Sequence, residues 1–173
     1  MPKDRPLTII ALIAIPVAVF FYEMAFEQLS FVYGAVPVDI TKSFVSLKNG
    51  DATPGVWRPF LTLFTAIFLH GDAQHIIYNM VFLWAFGTLC AKHLGMWTAL
   101  VLFLLCGAIG NIAQCWLNPN SPIPIIGASG GIMAFEGIYL GIAVRWVLPN
   151  PDVWPLAYPI SPARMATFGV VGF

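Results

Sequence analysis

The chain has 173 residues, of which 59% are apolar and only 9% are charged, and its formal net charge is zero. Soluble domains carry about 25% charged residues, so this composition argues against a soluble globular protein and predicts that lipid covers much of the surface. The neutral balance and the lack of a basic patch argue against nucleic acid as a partner. We therefore predict an all-α, polytopic membrane helix bundle.

The first predicted membrane span covers residues 7–26, and residues 1–27 are assigned to an N-terminal anchor helix. A cleaved signal peptide is the alternative interpretation of this run. No small-residue cleavage site follows the apolar stretch, and further apolar stretches do follow, so we expect an anchor that is retained.

Residues 28–59 are predicted to form an outer loop, because Gly, Pro, Asp and Asn turn signals are frequent there. Trp57 and Arg58, near its end, suit an interfacial position. The apolar run 60–69 is too short to cross a bilayer alone. We expect it to pack against the bundle or to lie at the interface.

Three further spans and the start of another are predicted downstream. The second span begins at residue 72 or 75 and ends at residue 91, the third covers residues 96–117, and the fourth covers residues 129–147. A loop with three prolines precedes the fourth span. A fifth span begins near Ala163, and the sequence stops at Phe173 while still apolar. We therefore expect four spans plus the start of a fifth, in a chain that is cut off within a helix.

The basic residues in the short flanks predict the orientation of the bundle. With the N-terminus in the cytoplasm, five basic residues are cytoplasmic and three are outside, in agreement with the positive-inside rule. We therefore predict a multi-pass protein with a cytoplasmic N-terminus, in the plasma or inner membrane if its source is bacterial. The cytoplasmic set is Lys3, Arg5, Lys92, Arg145 and Arg164, and the outer set is Lys42, Lys48 and Arg58.

The five residues Gly127 to Gly131, Gly-Ala-Ser-Gly-Gly, open the fourth span directly after the proline-rich loop. The backbone N–H groups in the first turn of a helix have no partner within it, and the positive end of the helix dipole lies there. A helix start with a serine, Ser129, is therefore a suitable place to stabilise an oxyanion. The alternative is a serine helix cap in a glycine-rich packing face, since the pairs Gly130/Ala134 and Gly137/Gly141 place small residues four apart.

His75 and Asn79 are four residues apart, so on a helix they lie on one face, one turn apart. Two neighbouring hydrogen-bond donors can hold a developing negative charge, and His75 is also a candidate general base. The alternative is a pair that makes interhelical hydrogen bonds. A metal site of His70, Asp72 and His75 matches no standard ligand spacing, so we predict no metal and no cofactor.

Other polar and sulfur-bearing residues lie within apolar stretches. Asn111 and Gln114 are expected to hydrogen-bond between helices or to a carbonyl. Glu136, seven residues after Ser129, is expected to have a structural role or to line a water pocket. A transporter or channel component would use these three polar side chains as a path, but that reading does not explain Gly-Ala-Ser-Gly. The cysteines are expected to be small buried side chains without a disulfide or zinc role: Cys90, Cys106 and Cys115.

The order and spacing of four pieces resemble the rhomboid proteases over about residues 56–145. These pieces are Trp57-Arg58, His70-x4-His75-x3-Asn79, Leu-Trp-Ala-Phe-Gly at residues 83–87 and Gly127-Ala128-Ser129-Gly130. The resemblance implies a bundle of six or seven helices that cleaves transmembrane protein substrates within or near the bilayer. Residues 56–173 are then an incomplete rhomboid-like catalytic domain.

The resemblance also implies roles for individual residues. Ser129 would attack the scissile carbonyl, and His75 and Asn79 would hold the oxyanion together with the Ser129 backbone N–H. His70 would be a supporting residue near the cavity rim. Trp57 and Arg58 would belong to a structured outer loop that packs sideways against the bundle. The flanking glycines of the motif are Gly127 and Gly130.

The general base of rhomboid proteases is a histidine on the sixth helix, whereas this sequence contains only His70, His75 and His93. We therefore expect the 173-residue chain alone to have little or no proteolytic activity. The alternative function is that of a non-proteolytic, rhomboid-like protein that binds transmembrane helices. Two smaller departures are Ala91 before Lys92, where many members have an acid, and Met133, where some have an aromatic residue.

Overall fold

The computed structural model describes the backbone of residues 5–26 and 28–147 and the side chains of residues 9–26 and 28–141. No strand forms in this part of the chain, which confirms the all-helical prediction. A 3-10 turn, Ala66–Phe68, follows α4, and a π-helical segment, Leu83–Gly87, joins α5 to α6. The α-helices are α1 (Arg5–Ala25), α2 (Leu29–Tyr33), α3 (Pro37–Lys48), α4 (Pro54–Thr65), α5 (Ala73–Phe82), α6 (Thr88–Leu94), α7 (Met96–Leu117) and α8 (Ser129–Val147).

Helices are present at each of the four predicted span positions that the structure describes. The helices α7 and α8 have the predicted bounds, and α5 to α6 cover the predicted second span. Gly95, with a φ of 84°, separates α6 from α7, because few other residues adopt that conformation easily. The predicted fifth span near Ala163 lies outside the described residues.

Only part of the predicted span count is supported by helix length and composition. Within the described residues, α7 alone is long and apolar enough to cross a membrane. The pair formed by Pro54–Phe68 and Ala73–Leu94 passes the same test together and is bent by 80° at its break. The apolar part of α1, Ile9–Ala25, is shorter. Four spans therefore remain a prediction.

Much of the predicted outer loop, residues 28–59, is helical. Helices α2, α3 and the start of α4 occupy this segment. Pro37 and Pro54 are each the first residue of a helix, where a proline lacks only an N–H that would be unpaired anyway. Trp57 and Arg58 lie in the first turns of α4.

Helices α7 and α8 approach each other closely through glycines at the start of α8. A Cβ atom built on Gly131 would lie 2.6 Å from the ring of Phe103, and one on Gly130 would lie 3.4 Å from the backbone of Gly107. Gly137, in contrast, has nothing within 4 Å of such an atom, and Gly141 is exposed. The prediction of a packing face through Gly137 and Gly141 is therefore wrong for the described residues.

Hydrogen bonds join the loop between α7 and α8 to residues between Ala35 and Ala66. Ala35 and Ile125 form an isolated antiparallel bridge with N···O distances of 3.0 and 2.8 Å. The remaining bonds are Val38 N–H to Ser121 O (3.1 Å), Thr41 Oγ1 to Pro119 O (3.1 Å) and Gly127 N–H to Ala66 O (2.9 Å). The chain that leads into α8 is therefore fixed from two sides.

Candidate active site

A cavity of about 360 Å³ lies between α5 and the N-terminal half of α8. It brings together Ser129, His75 and Asn79, three residues that the sequence analysis assigns to one site. Its full lining is Asp72, Gln74, His75, Tyr78, Asn79, Phe82, Ser129, Ile132, Met133 and Glu136. A hydroxyl, an imidazole, an amide and a carboxyl group thus line the same cavity.

Ser129 is the first residue of α8 and is exposed to the cavity. The carbonyl of Ala128, just before it, accepts the N–H groups of Gly131 and Ile132 at 3.1 Å each. The N–H groups of Ser129 and Gly130 come before these two and have no acceptor inside the helix, so they are available to a group that binds at the helix end. The serine hydroxyl therefore lies beside free donors and the positive end of the helix dipole.

Gly127 brings the serine loop into contact with α5. A Cβ atom built on Gly127 would lie 2.7 Å from Nε2 of His75 and 3.9 Å from Nδ2 of Asn79. The φ of Gly127 is 119°, which side chains of L-residues rarely allow. Both the backbone conformation and the contact with His75 require glycine here.

His75 and Asn79 occupy the same face of α5, and the helix start fixes where that face points. The carboxylate of Asp72 accepts the backbone N–H of His75 at 2.7 Å and caps the helix. Asn79 is buried, whereas His75 is partly exposed. The cap therefore sets the orientation of the two donor side chains toward the cavity.

His70 is almost completely buried, with 1% of its surface exposed, and it lies behind His75 and not in the cavity lining. The two imidazole rings meet edge to face, with centroids 5.0 Å apart. Among the described residues neither ring nitrogen of His70 makes a hydrogen bond of normal geometry. Burial, and secondly the neighbouring His75, lower the pKa of His70 to about 4. Its ring is therefore neutral at physiological pH.

Glu23, near the end of α1, holds the backbone of His70 in place. Its carboxylate accepts the His70 backbone N–H at 2.9 Å and the Ser30 hydroxyl at 2.9 Å, and only 8% of the residue is exposed. The sequence analysis did not assign this role. The available signal was an acid in the last turn of an apolar helix, which needs a partner when it is buried.

Glu136 lines the same cavity as Ser129, and 6% of its surface is exposed. Its position agrees with the alternative expectation of a pocket-lining residue, whereas the first expectation was a structural role. Asn111 instead donates its amide to the carbonyl of Leu63 at 2.7 Å, which joins α7 to α4 as expected. Gln114 is exposed. Neither Asn111 nor Gln114 lines the cavity of Glu136, so the described residues offer no continuous polar path through all three.

Other residues of interest lie apart from the cavity. Trp57 is half exposed, and the centroid of its ring lies 5.9 Å from that of Phe60. Arg58 and Asp39 line a separate cavity of about 80 Å³. His93 is exposed at the end of α6. Among the described residues no group of three His, Cys, Asp or Glu side chains could hold a metal ion. The predicted glycine of the motif, Gly130, faces α7.

The sequence of the chain is similar to that of known proteins over more than half of its length. A family model described as the Rhomboid domain matches residues 54–156. The rhomboid protease GluP of Bacillus subtilis (strain 168) is 31% identical over 111 residues, which are 64% of this chain and 21% of that protein. The putative rhomboid protease YdcA of the same organism is 30% identical over 101 residues, 58% of this chain and 46% of that protein. The chain thus spans about a fifth of one relative and less than half of the other.

Proposed function

This chain belongs to the rhomboid family of integral membrane proteins, and we propose that Ser129 is the nucleophile with which it cleaves transmembrane protein substrates inside the membrane. The observation that carries this proposal is the shared cavity of Ser129, His75 and Asn79 at the N-terminus of α8. A hydroxyl at a helix end that faces two donor side chains suits acyl transfer. The relatives, which are named as proteases, support the same type of function.

The reaction would take place in two steps. The Ser129 oxygen attacks the scissile carbonyl carbon and loses its proton to a general base, and the C–N bond then breaks as the departing amine takes up that proton. Water next attacks the acyl-serine ester and gives a proton to the same base, which passes it to the departing Ser129 oxygen as the C–O bond breaks, so that the new carboxylic acid leaves and the serine hydroxyl is restored. No metal or cofactor is needed in either step.

The general base is assigned by the family resemblance to a histidine on a later helix. His70 does not suit the role, because it is buried behind His75 and does not line the cavity. His93 is at the other end of the α5–α6 pair from the cavity. His75 packs against Gly127, on the side of the cavity where the oxyanion would form. We therefore propose that His75 is a donor and not the base.

The oxyanion would be held by His75, Asn79 and the backbone N–H of Ser129. All three donors lie at a helix end or on a helix face, so they require little rearrangement when negative charge develops on the carbonyl oxygen of the substrate. Asn79→Ala is expected to raise the barrier by about 1–3 kcal/mol, or about 5- to 150-fold in kcat/KM. The matched control is Gln114→Ala, which removes an exposed amide away from the cavity. An equal effect of both substitutions would contradict the donor role of Asn79.

The nucleophile is tested with the complete gene product, purified in detergent and given a single-span model substrate. Ser129→Ala should abolish both cleavage and labelling by a serine-reactive fluorophosphonate. Ser46→Ala, on α3 and away from the cavity, should keep both. Cleavage that persists in the Ser129 variant would remove this residue from the mechanism. Binding of a transmembrane helix without any cleavage by the unaltered protein would favour a non-proteolytic rhomboid-like protein instead.

A further inference from the structure

We infer that Glu23 is a positioning residue for the proposed cleavage reaction: acting through His70, it holds the imidazole of His75 where the oxyanion forms. The inference rests on the proposed function and adds to it a residue of α1. Glu23 does not line the cavity of Ser129, and it lies outside the region that the family model matches. Its influence on the reaction therefore passes through the two imidazole rings.

The backbone of His70 lies at a sharp bend in the chain. Residues 69–72 belong to no helix, and the helical segments before and after them are bent by 80° relative to each other. The carboxylate of Glu23 reaches this bend from α1, and its Oε2 atom accepts the His70 N–H at 2.9 Å. Its Oε1 atom accepts the Ser30 hydroxyl at 2.9 Å. Both carboxylate oxygens are thus held, and they fix the bend to α1.

The ring of His70 transmits this position to His75. Only 1% of the surface of His70 is exposed, so its ring is held by close packing. The two imidazole rings meet edge to face, with centroids 5.0 Å apart. A Cβ atom built on Gly127 would lie 2.7 Å from Nε2 and 2.8 Å from Cε1 of His75, so the serine loop also approaches this ring closely. The imidazole of His75 is therefore confined by the ring of His70 and the backbone of Gly127.

The helix cap of α5 cannot replace this contact. Asp72 accepts the backbone N–H of His75, which fixes where α5 begins but leaves the side-chain torsion angles of His75 to its neighbours. If Glu23 is removed, the buried His70 N–H needs another acceptor, so the backbone at the bend shifts and takes the His70 ring with it. The partly exposed ring of His75 can then turn within the cavity.

The consequence for catalysis falls on the transition state. A donor that is displaced by about 1 Å can slow a reaction by about 100-fold, because it no longer meets the developing charge. The oxyanion is absent from the bound substrate, so substrate binding does not depend on the position of His75 in the same way. Loss of Glu23 should therefore lower kcat and leave KM nearly unchanged.

The test uses the complete gene product in liposomes with a single-span model substrate. Labelling by a fluorophosphonate to completion counts the folded sites, and kcat is expressed per labelled serine, so a loss of folded protein cancels. Glu23→Leu should lower this kcat by about tenfold or more, with KM unchanged. Glu23→Gln keeps an oxygen for the His70 N–H and should restore kcat to within about twofold of the unaltered protein. Glu23→Asp keeps the charge but is one methylene shorter, and it should not restore kcat.

A double-mutant cycle tests whether Glu23 acts through His75. In a His75→Ala background there is no imidazole to hold, so Glu23→Leu should change kcat by less than about twofold. Asn111→Leu is the matched control, because it breaks another buried hydrogen bond between distant residues, to the carbonyl of Leu63, and Asn111 does not line the cavity. It should lower the melting temperature but leave kcat per labelled serine unchanged.

Three results would refute the inference. They are an unchanged kcat in Glu23→Leu, an equal loss in Asn111→Leu, and a loss in Glu23→Leu that persists in the His75→Ala background. If Glu23→Leu gives no labelled protein, Glu23→Gln and Glu23→Asp decide, and equal kcat values for these two refute the inference. In each case the proposed function stands if Ser129→Ala abolishes cleavage. Cleavage that survives Ser129→Ala refutes the proposed function, and the inference falls with it.

Discussion

The buried His70 makes the stability of the bundle dependent on pH. Its pKa is lowered from 6.5 to about 4, chiefly by burial and next by His75, while the Phe68 backbone and the Asp72 carboxylate raise it by less. The folded protein therefore binds a proton at this site less readily than the unfolded chain does. The stabilisation is fully present above pH 6.5 and is lost as the pH falls toward 4. The difference between 6.5 and 4 is about 2.5 units, equivalent to at most about 3 kcal/mol.

The measurement is the free energy of unfolding in mixed detergent micelles between pH 7.5 and pH 4.5. The unaltered protein should lose most of the His70 contribution over this range, whereas His70→Gln should lack it and show a shallower dependence. His93→Gln, which changes an exposed histidine, should follow the unaltered protein. Other titrating groups contribute equally to all three proteins and cancel in the differences. A His70→Gln protein with the same pH dependence as the unaltered one would show that this reasoning is wrong.

Two further substitutions test the contacts behind the cavity. Gly127→Ala should reduce the free energy of unfolding by about 1–3 kcal/mol, because the φ of Gly127 is 119° and the new methyl group would overlap His75. The control is Gly137→Ala, which has open space around it and should be neutral or slightly stabilising in the same unfolding titration. Equal effects of the two substitutions would contradict the requirement for glycine at residue 127. Glu23→Ala should destabilise by about 1–3 kcal/mol, because it leaves the buried backbone N–H of His70 unpaired. A Glu23→Ala variant that melts at the temperature of the unaltered protein would refute that role.

The apolar helices could be predicted closely because their boundaries have local causes. No charged residue occurs between His93 and Phe135, so the apolar pattern is uninterrupted over this stretch. Gly95 marks the start of α7, and the proline-rich loop marks its end and the start of α8. The spacing of His75 and Asn79 also predicted a shared face, and the cavity includes both. Local rules are sufficient where glycine and proline define the ends of an element.

The helices within the predicted outer loop, residues 28–59, could not be predicted, because the same residues are typical of turns and of helix starts. Pro37 and Pro54 were interpreted as turn signals, whereas each begins a helix. Helix α3 buries only a few side chains, Ile40 among them, so its apolar pattern is weak. Such short helices depend on tertiary contacts more than on propensity. Sequence periodicity alone could not distinguish them from a structured loop.

The partners of the buried polar groups could not be predicted because they are distant in the sequence. Glu23 binds the backbone of His70, 47 residues away, and Asn111 binds the carbonyl of Leu63, 48 residues away. The rule that a buried polar group needs a partner predicts that a bond exists, but it does not identify the acceptor. The same limit applied to Glu136, whose position beside the cavity became clear only from the fold.

The position of the serine depends on residues that the family match does not include. That match begins at residue 54, but Ala35 bridges Ile125 in the loop before Ser129, and Glu23 holds the backbone of His70. Without the segment before residue 54, these buried N–H and C=O groups would lose their partners, at about 1–3 kcal/mol each. The loop would then be fixed mainly by the bond from Gly127 to the carbonyl of Ala66. Helices α1 to α3 therefore form part of the scaffold of the candidate active site, although they supply no residue to the lining of the cavity.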